Sequence, residues 1–281
     1  MKGRIPVYGN RKMRKKLLLK FGDNYLNSSE KRKIIKTIDS LGLEYTEKPD
    51  EGQLDAILNF GGDGTVLSSV HTAISNKTPV LCFSRNSSLG FLTPFRIDNF
   101  EEILALFVKE KLKKHKVTLL SMETREKTYY SLNEFSIERG DPSRTVTLDI
   151  KISNYSSFRV SGDGIIICSS SGSTAYNLSS GGAIIIPDTD VYQITPIACH
   201  NPYVGSIIAG KEKSTQISVT TCKGYPLKIY SDGQLIKEIF KGDRVIVKMS
   251  GKSVYFLVKE EIDFIKILNK KMFFGGRLNN G

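Results

Sequence analysis

The chain has 281 residues with a formal net charge of +12, and 40% of the residues are hydrophobic. This composition is close to that of ordinary globular proteins, so it excludes collagen, a coiled coil and wholesale disorder. No apolar run approaches the roughly 20 residues of a membrane-spanning helix, and none resembles the core of a signal peptide. We therefore expect an intracellular, cytoplasmic protein with no membrane partner.

The positive charge is concentrated near the N-terminus. Residues 1–36 contain 12 Lys and Arg against 2 Asp and Glu, whereas the remaining 245 residues contain 29 against 27. A basic arm therefore precedes a body that is close to neutral. Such an arm is typical of a solvated tail, of contacts with an acidic surface or of a subunit contact, and we expect no dedicated nucleic-acid role.

Strands and helices alternate in the first third of the chain. Apolar runs and helical spacing predict strands at 16–21, 43–46, 56–60 and 79–83, and helices from Ser28, at 65–73 and at 100–111. Alternation with short connections is typical of a parallel, doubly wound sheet. Residues 1–114 are thus predicted to form an α/β domain.

The next part of the chain, residues 115–259, is predicted to be a β-rich domain. Short β segments are indicated at 117–120, 129–132, 145–152, 158–160, 165–168, 217–221, 227–230, 244–248 and 254–258. One helix is expected to begin near Ser173 or Thr174. The apolar spacing within 261–273 predicts a C-terminal helix, in the segment 260–281, that returns to the first domain.

Nothing in the sequence indicates a structural metal site. The cysteines at 82, 168, 199 and 222 form no CxxC pair and no disulfide framework, and the three histidines are scattered. Free thiols in a reducing compartment are expected.

The glycine-rich segment at 60–65, with the sequence FGGDGT, lies between a predicted strand and a predicted helix. Glycines there let backbone N–H groups approach phosphate oxygens, and the start of the helix adds positive potential. A carboxylate in such a loop would repel a phosphate unless it accepts a proton from an attacking hydroxyl or holds Mg²⁺. The segment therefore predicts a phosphoryl-transfer site centred on Asp63, the alternative being a tight turn with a capping aspartate.

Two further segments could bind a nucleoside. A run of small hydroxyl residues and glycine at 169–182 follows an apolar strand, and its Tyr176 could stack on a base. Asn133 and Glu134 follow another strand, and an amide beside a carboxylate can hydrogen-bond an adenine edge and a ribose diol. Taken alone, Asn133 and Glu134 also suit an ordinary strand end at the surface.

In this order, the motifs of the chain resemble those of the NAD kinase family, which phosphorylates NAD at the 2′-hydroxyl of its adenosine ribose. The matching segments are FGGDGT (60–65), SSLGFLTPF (87–95), LNEFSIERG (132–140), GDGIIICSSSGSTAYNLSSGG (162–182), ITPIACH (194–200), DGQ (232–234) and GDRV (242–245). The segment SLGFLTPF is more similar to that of eukaryotic members than to that of bacterial ones. The resemblance implies an N-terminal α/β domain and a C-terminal β-sandwich-like domain.

The resemblance also implies roles for individual residues. Asp63 would be the base that acts on the 2′-hydroxyl, and Asn133 and Glu134 would hold the adenosine part. The residues placed around the nucleotides would be Gly62, Gly64, Thr65, Phe91, Ser171, Gly172, Thr174, Ala175, Tyr176 and Ser179. Asp163 stands where some members reach the site of a neighbouring subunit, and Arg144 and Gln234 align with minor nucleotide contacts.

The implied reaction is ATP-dependent phosphorylation of NAD with Mg²⁺ accompanying ATP, by a homodimer or homotetramer. Such a transfer needs positioning and charge neutralisation more than covalent chemistry from the protein. One alternative is a lipid kinase of the diacylglycerol or sphingosine type, which shares the GGDG loop. A second is a nucleotide-binding module that keeps the fold without catalysis.

Overall fold

The structure is a computed structural model that describes residues 14–23, 25–49, 53–85, 91–200, 203–222 and 224–272, apart from the side chain of Asn76. Residues 1–13 of the basic arm, residues 87–90 of the SSLGFLTPF segment and the last nine residues of the predicted C-terminal segment lie outside the described residues.

The α/β part of the fold follows the predicted alternation. Its elements are β1 (Lys16–Phe21), α1 (Ser28–Ser40), β2 (Glu44–Thr46), β3 (Ala56–Phe60), α2 (Asp63–Leu67), α3 (Val70–Asn76), β4 (Val80–Ser84), β5 (Phe95–Arg96) and α4 (Phe100–Val108), the last preceded by a 3₁₀ turn at Ile97–Asn99. Strands β2, β1, β3, β4 and β5 are parallel neighbours in that order.

Helices cover both faces of this parallel sheet, as predicted. On one face Ile34 and Ile38 of α1 pack with Ile103 and Leu104 of α4 against β1, β3 and β4. On the other face the buried residues of α2 and α3 form a separate core. Because both faces are covered, β3 and β4 are buried at every residue, and this is why they read as continuous apolar runs.

The described residues of the β-rich part form twelve strands and one short helix. They are β6 (Lys113–Glu123), β7 (Thr128–Ser131), β8 (Glu134–Arg139), β9 (Val146–Ile152), β10 (Phe158–Gly162), β11 (Gly164–Ser169), α5 (Tyr176–Ser179), β12 (Val191–Ile197), β13 (Ile207–Gly210), β14 (Ser214–Thr221), β15 (Leu227–Ser231), β16 (Gln234–Ile239) and β17 (Arg244–Val258).

These strands form the predicted sandwich. One sheet has the order β13-β12-β11-β8-β15-β16, and the other contains β10, β9, β14, β17, β6 and β7. Apolar residues of both sheets share one core. The strand β17 also links the two parts of the protein, because its Phe256 pairs in parallel with Val80 of β4. The second sheet is therefore continuous with the parallel sheet.

The predicted helix at 65–73 is wrong as a single helix, because the chain forms α2 and α3 with a break at Ser68 and Ser69. Oγ of Ser68 donates to the carbonyl of Thr65 at 2.7 Å, and Oγ of the fully buried Ser69 donates to Oδ1 of Asn59 at 2.6 Å. These hydroxyl bonds offer an alternative to regular helical pairing at this point.

The helix predicted near Ser173 is much shorter than an ordinary helix. A 3₁₀ turn at Ser171–Thr174 precedes the four-residue α5. Oγ of Ser173 donates to the carbonyl of Ser170 at 2.8 Å and accepts from the N–H of Ile185 at 3.0 Å. These bonds hold the loop in a compact turn instead of a longer helix.

The predicted C-terminal helix is α6 (Phe264–Met272), and it returns to the α/β part. The ring of Phe264 lies 5.6 Å from the ring of Phe91, centroid to centroid. Cys82, Cys168 and Cys222 are buried free thiols. No helix in the described ranges is long and apolar enough to cross a lipid bilayer.

Candidate active site

The glycine-rich loop connects the buried strand β3 to α2. A Cβ atom on Gly61 would lie 2.1 Å from Oγ1 of Thr65, so a side chain there would clash. In contrast, a Cβ on Gly62 or Gly64 would meet nothing within 4 Å. The backbone on both sides of Asp63 is therefore open to an approaching ligand.

The two carboxylate oxygens of Asp63 differ in their partners. Oδ2 accepts a hydrogen bond of 3.4 Å from Nζ of Lys271 in α6. Oδ1 is buried and has no hydrogen-bond partner among the described residues. Because nearly all buried polar atoms in native proteins are hydrogen-bonded, an unpaired one indicates a place for a ligand or for proton transfer.

Asp63 lines a cavity of about 460 Å³, which we call the Asp63 cavity. It brings together elements that are far apart in the sequence: the glycine-rich loop, the turn before β8, the serine-rich loop and the end of α6. Its lining includes the predicted site residues Asp63, Phe91, Asn133, Ser171, Thr174 and Ala175. The other lining residues were not among the predicted site residues, and they are Leu92, Lys270, Lys271 and Met272.

The turn that carries Asn133 and Glu134 is held by the carboxylate of Asp232. Oδ1 of Asp232 accepts from the N–H of Asn133 at 2.7 Å and from the N–H of Glu134 at 3.3 Å. It also accepts from Oγ of Ser131 at 2.6 Å, and Oδ2 accepts from the N–H of Leu132 at 2.9 Å. Asn133 and Glu134 are only 9% and 8% exposed. The alternative of an ordinary surface strand end is therefore wrong.

Glu134 lines a second cavity of about 250 Å³, the Glu134 cavity, together with Ser136, Glu138, Tyr176, Tyr230 and Gly233. Burial raises the pKa of the Glu134 carboxyl to about 8, and the negative charge of Asp232 adds to this effect. Oε2 of Glu134 has no hydrogen-bond partner in the described part of the chain. At neutral pH this carboxyl is mostly protonated, so it can donate a hydrogen bond as well as accept one.

The serine-rich loop is packed directly on the turn at Asn133. A Cβ atom on Gly172 would lie 2.2 Å from the carbonyl oxygen of Asn133, so the close approach requires glycine. The N–H of Gly172 donates to Oγ of Ser169 at 3.1 Å, and this hydroxyl donates to the carbonyl of Leu132 at 2.6 Å. Loop and turn thus form one unit.

Tyr176 follows this loop in the chain. It lines the Glu134 cavity, whereas Thr174 and Ala175 just before it line the Asp63 cavity. Its side chain is 40% exposed, which leaves a ring face for stacking. Burial is the main cause that raises the pKa of its hydroxyl, and the negative charges of Glu138, Asp163 and Glu134 raise this pKa further.

Several predicted site residues line neither cavity. Thr65 lies against Gly61 beneath the loop, and Gly172 is buried. Asp163 forms a salt bridge of 2.6 Å with Arg139. Three others are exposed and belong to the lining of neither cavity: Arg144, Ser179 and Gln234. Contacts with nucleotides stay a prediction for these residues.

No group of three His, Cys, Asp or Glu side chains is placed to hold a metal ion within the described ranges. Asp63 is the only carboxylate among the described residues that line its cavity. A divalent cation there would therefore need most of its ligands from a bound substrate and from water.

Comparison with protein families gives two matches. The sequence profile of the ATP-NAD kinase N-terminal domain matches residues 1–112, and that of the ATP-NAD kinase C-terminal domain matches residues 132–259. A NAD kinase of Clostridium kluyveri is 33% identical over 270 residues, which cover 93% of this chain and 92% of the relative. A NAD kinase of Chlorobium phaeobacteroides (strain BS1) is 32% identical over 230 residues, covering 79% and 78%.

Solved structures share the fold at lower sequence identity. Yeast NADH kinase complexed with NADH superposes with a TM-score of 0.83 and 20% identity, covering 96% of this chain and 91% of that one. A NAD kinase from Archaeoglobus fulgidus in complex with ATP gives a TM-score of 0.74 and 20% identity, with coverage of 92% and 97%. The fold predicted from the sequence is thus confirmed.

Proposed function

This chain belongs to the ATP-NAD kinase family, and from that premise we propose that it transfers the γ-phosphoryl group of ATP to the 2′-hydroxyl of the adenosine ribose of NAD. The products are NADP and ADP. The lipid-kinase and non-catalytic alternatives are not favoured, because both halves of the chain match the NAD kinase family.

The observation that carries this proposal is the unpaired Oδ1 of Asp63 beside an open glycine backbone. An attacking hydroxyl must lose its proton as its oxygen bonds to phosphorus, and a carboxylate within hydrogen-bond reach can take that proton. Oδ1 is buried and unpaired among the described residues, and Asp63 lines the cavity. Asp63 is thus the candidate general base.

The remaining cavity residues suit the binding of a dinucleotide. Asn133 supplies an amide, and the protonated Glu134 supplies a donor and an acceptor, to the polar edges of a nucleoside. Tyr176 offers a ring face to a base. Ser171 and Thr174, which carry hydroxyl groups, line the same cavity as Asp63.

The open backbone at Gly62 and Gly64 is the proposed contact for the phosphates of ATP. Mg²⁺ that enters with ATP would neutralise phosphate charge, and it would take its ligands mostly from the phosphates and from water. The side chain of Lys270 brings further positive charge to the same cavity.

We further propose that the protein acts as a homodimer or homotetramer. Asp163 and Arg139 form a pair in which both side chains are 29% exposed, so the pair remains accessible to a second subunit. A cytoplasmic location is proposed as well, and it is supported by the free thiols of Cys82, Cys168 and Cys222.

The direct test is an assay of the purified protein with labelled ATP and three acceptors: NAD, NADH and a mixture of diacylglycerol and sphingosine. We expect phosphorylation of the dinucleotides only. The same assay with polyphosphate in place of ATP shows whether polyphosphate can also be the phosphoryl donor. Phosphorylation of lipid, or no transfer to either dinucleotide, would overturn the proposal. Sedimentation under assay conditions tests whether the protein is a homodimer or homotetramer, and a fully active monomer would exclude both.

A further inference from the structure

Helix α6 brings a cation to the candidate base. Lys271 lies in the last turn of α6, and its Nζ is 3.4 Å from Oδ2 of Asp63, which is 208 positions earlier in the chain. The Lys271 side chain is only 23% exposed. By comparison, Lys211 and Lys259, which also pair with carboxylates, are 51% and 54% exposed. The Lys271 side chain is therefore more buried than these two, although its contact is longer than the 2.8 Å of Lys259 with Glu102.

An aromatic pair fixes the position of the Lys271 ammonium group from a second side. Nζ of Lys271 lies 4.8 Å from the centroid of the Phe91 ring, and Phe91 packs on Phe264 of the same helix. A cation over a ring face is attracted to it, and the apolar stem of lysine packs on carbon. The contact with Asp63 is thus determined by packing as well as by charge.

This contact distinguishes the two oxygens of the Asp63 carboxylate. Rotation of the side chain would exchange Oδ1 and Oδ2 if neither had a partner. Because Lys271 holds Oδ2, the oxygen that stays unpaired and buried is Oδ1.

We propose that Lys271 is a positioning residue for the phosphoryl transfer: it holds Asp63 by Oδ2 and so fixes the carboxylate that receives the proton of the attacking hydroxyl. This inference rests on the proposed function. The hydroxyl oxygen of NAD forms a bond to the γ-phosphorus of ATP, while the bond from that phosphorus to the β,γ-bridging oxygen breaks. The hydroxyl proton moves to the carboxylate of Asp63, and ADP leaves with the electron pair of the broken bond.

Two other roles for Lys271 make different predictions. A lysine in the last turn of a helix is stabilised by the partial negative charge of the helix end, and this role would affect stability alone. A lysine that binds the phosphates of ATP would affect the KM for ATP. A positioning residue instead affects kcat, and it does so only while Asp63 is present.

The test uses Lys271→Met, which keeps an apolar stem over Phe91 and removes the charge. Misplacement of a catalytic group by about 1 Å can reduce rates about 100-fold, so we expect kcat to fall roughly 10- to 100-fold with both KM values unchanged. Lys271→Arg should retain most of kcat, because it keeps the cation. The matched control is Lys266→Met on the same helix, where the lysine is exposed and lines neither cavity.

A double substitution separates the roles. In an Asp63→Asn background, Lys271→Met should cause no further loss of kcat, because its effect passes through Asp63. The inference is overturned by an equal loss in both backgrounds, by a raised KM for ATP at unchanged kcat, or by wild-type rates in Lys271→Met. If Lys271→Met unfolds, low kcat in the charged and folded Lys271→Arg would also overturn it. Failure of the proposed function is distinct, since the wild-type protein would then not phosphorylate NAD at all.

Discussion

The aspartates at positions 63 and 232 each precede a glycine and lie within three residues after a strand, yet their carboxylates are bonded in opposite ways. Asp232 accepts four hydrogen bonds, one from the hydroxyl of Ser131 and three from the backbone N–H groups of residues 132–134. Asp63 accepts one, from Lys271, and its second oxygen is unpaired among the described residues.

The difference shows that one carboxylate determines the local structure, whereas the other is available for proton transfer. A carboxylate whose oxygens are saturated by backbone donors fixes the chain around it, and here it fixes the turn that carries Asn133 and Glu134. A carboxylate with an unpaired oxygen holds nothing in place at that atom but can accept a proton. The two aspartates should therefore respond differently to the same substitution.

The largest effect is expected for Asp63→Asn, which keeps the size of the side chain and removes the proton acceptor. General-base catalysis contributes roughly 10²–10⁴ in rate, so kcat at saturating NAD and ATP should fall by about that range. The rate of NADP formation measures it, with Asp98→Asn as the control, because Asp98 is 69% exposed and pairs only with Arg96 in the described structure. Turnover within a few-fold of the wild type would remove Asp63 from the catalytic role.

The next effect is expected for Asp232→Asn, and it should appear in stability. The amide nitrogen that replaces one carboxylate oxygen cannot accept a hydrogen bond, so at least one buried donor loses its partner. A loss of about 1–3 kcal/mol in the free energy of unfolding is expected, together with a higher KM for NAD. Urea titration measures the first quantity. Unchanged stability would mean that the turn at Asn133 does not depend on Asp232.

A smaller loss, of about 1–2 kcal/mol, is expected for Gly172→Ala. The added Cβ would lie 2.2 Å from the carbonyl oxygen of Asn133, so loop and turn must move apart. Gly251→Ala is the control, because a Cβ there meets nothing within 4 Å. Equal unfolding midpoints for the two variants would show that the loop and the turn are not a packed unit.

A change of a different kind is expected for Glu134→Gln, which should alter the pH dependence of stability. Because the pKa of Glu134 is raised from 4.5 to about 8 in the folded protein, the unfolded chain loses this proton at lower pH than the folded one. The free energy of unfolding should therefore fall as the pH rises from about 4.5 to about 8. Glu134→Gln should flatten this slope, whereas an unchanged slope would show that Glu134 does not titrate as its burial indicates.

The strands and the fold class could be predicted where the physical signal is local. Buried strand β3 reads as an apolar run, and its predicted bounds match those observed. Strands β8 and β12 did not appear in the prediction, because Glu134 and Glu138 in the first and Pro196 in the second weaken the local signal. Both are central strands of their sheet, paired on both sides.

The site could be predicted only in part, for a similar reason. The glycine-rich loop and the turn at Asn133 are marked by their own residue types. Asp232 belongs to an Asp-Gly pair, which by itself indicates only a turn, and its partners lie about 100 positions earlier in the chain. Likewise, no local pattern connects Lys271 with Asp63. Such long-range contacts depend on the finished fold.

Binding of NAD and transfer of the proton are assigned to different residues. Calorimetric titration of NAD into Asp63→Asn measures the first without the second. We expect a dissociation constant within a few-fold of the wild-type value, because Asn133, Glu134 and Tyr176 remain in place, while kcat is reduced. A loss of NAD affinity as large as the loss of kcat would show instead that Asp63 acts in binding.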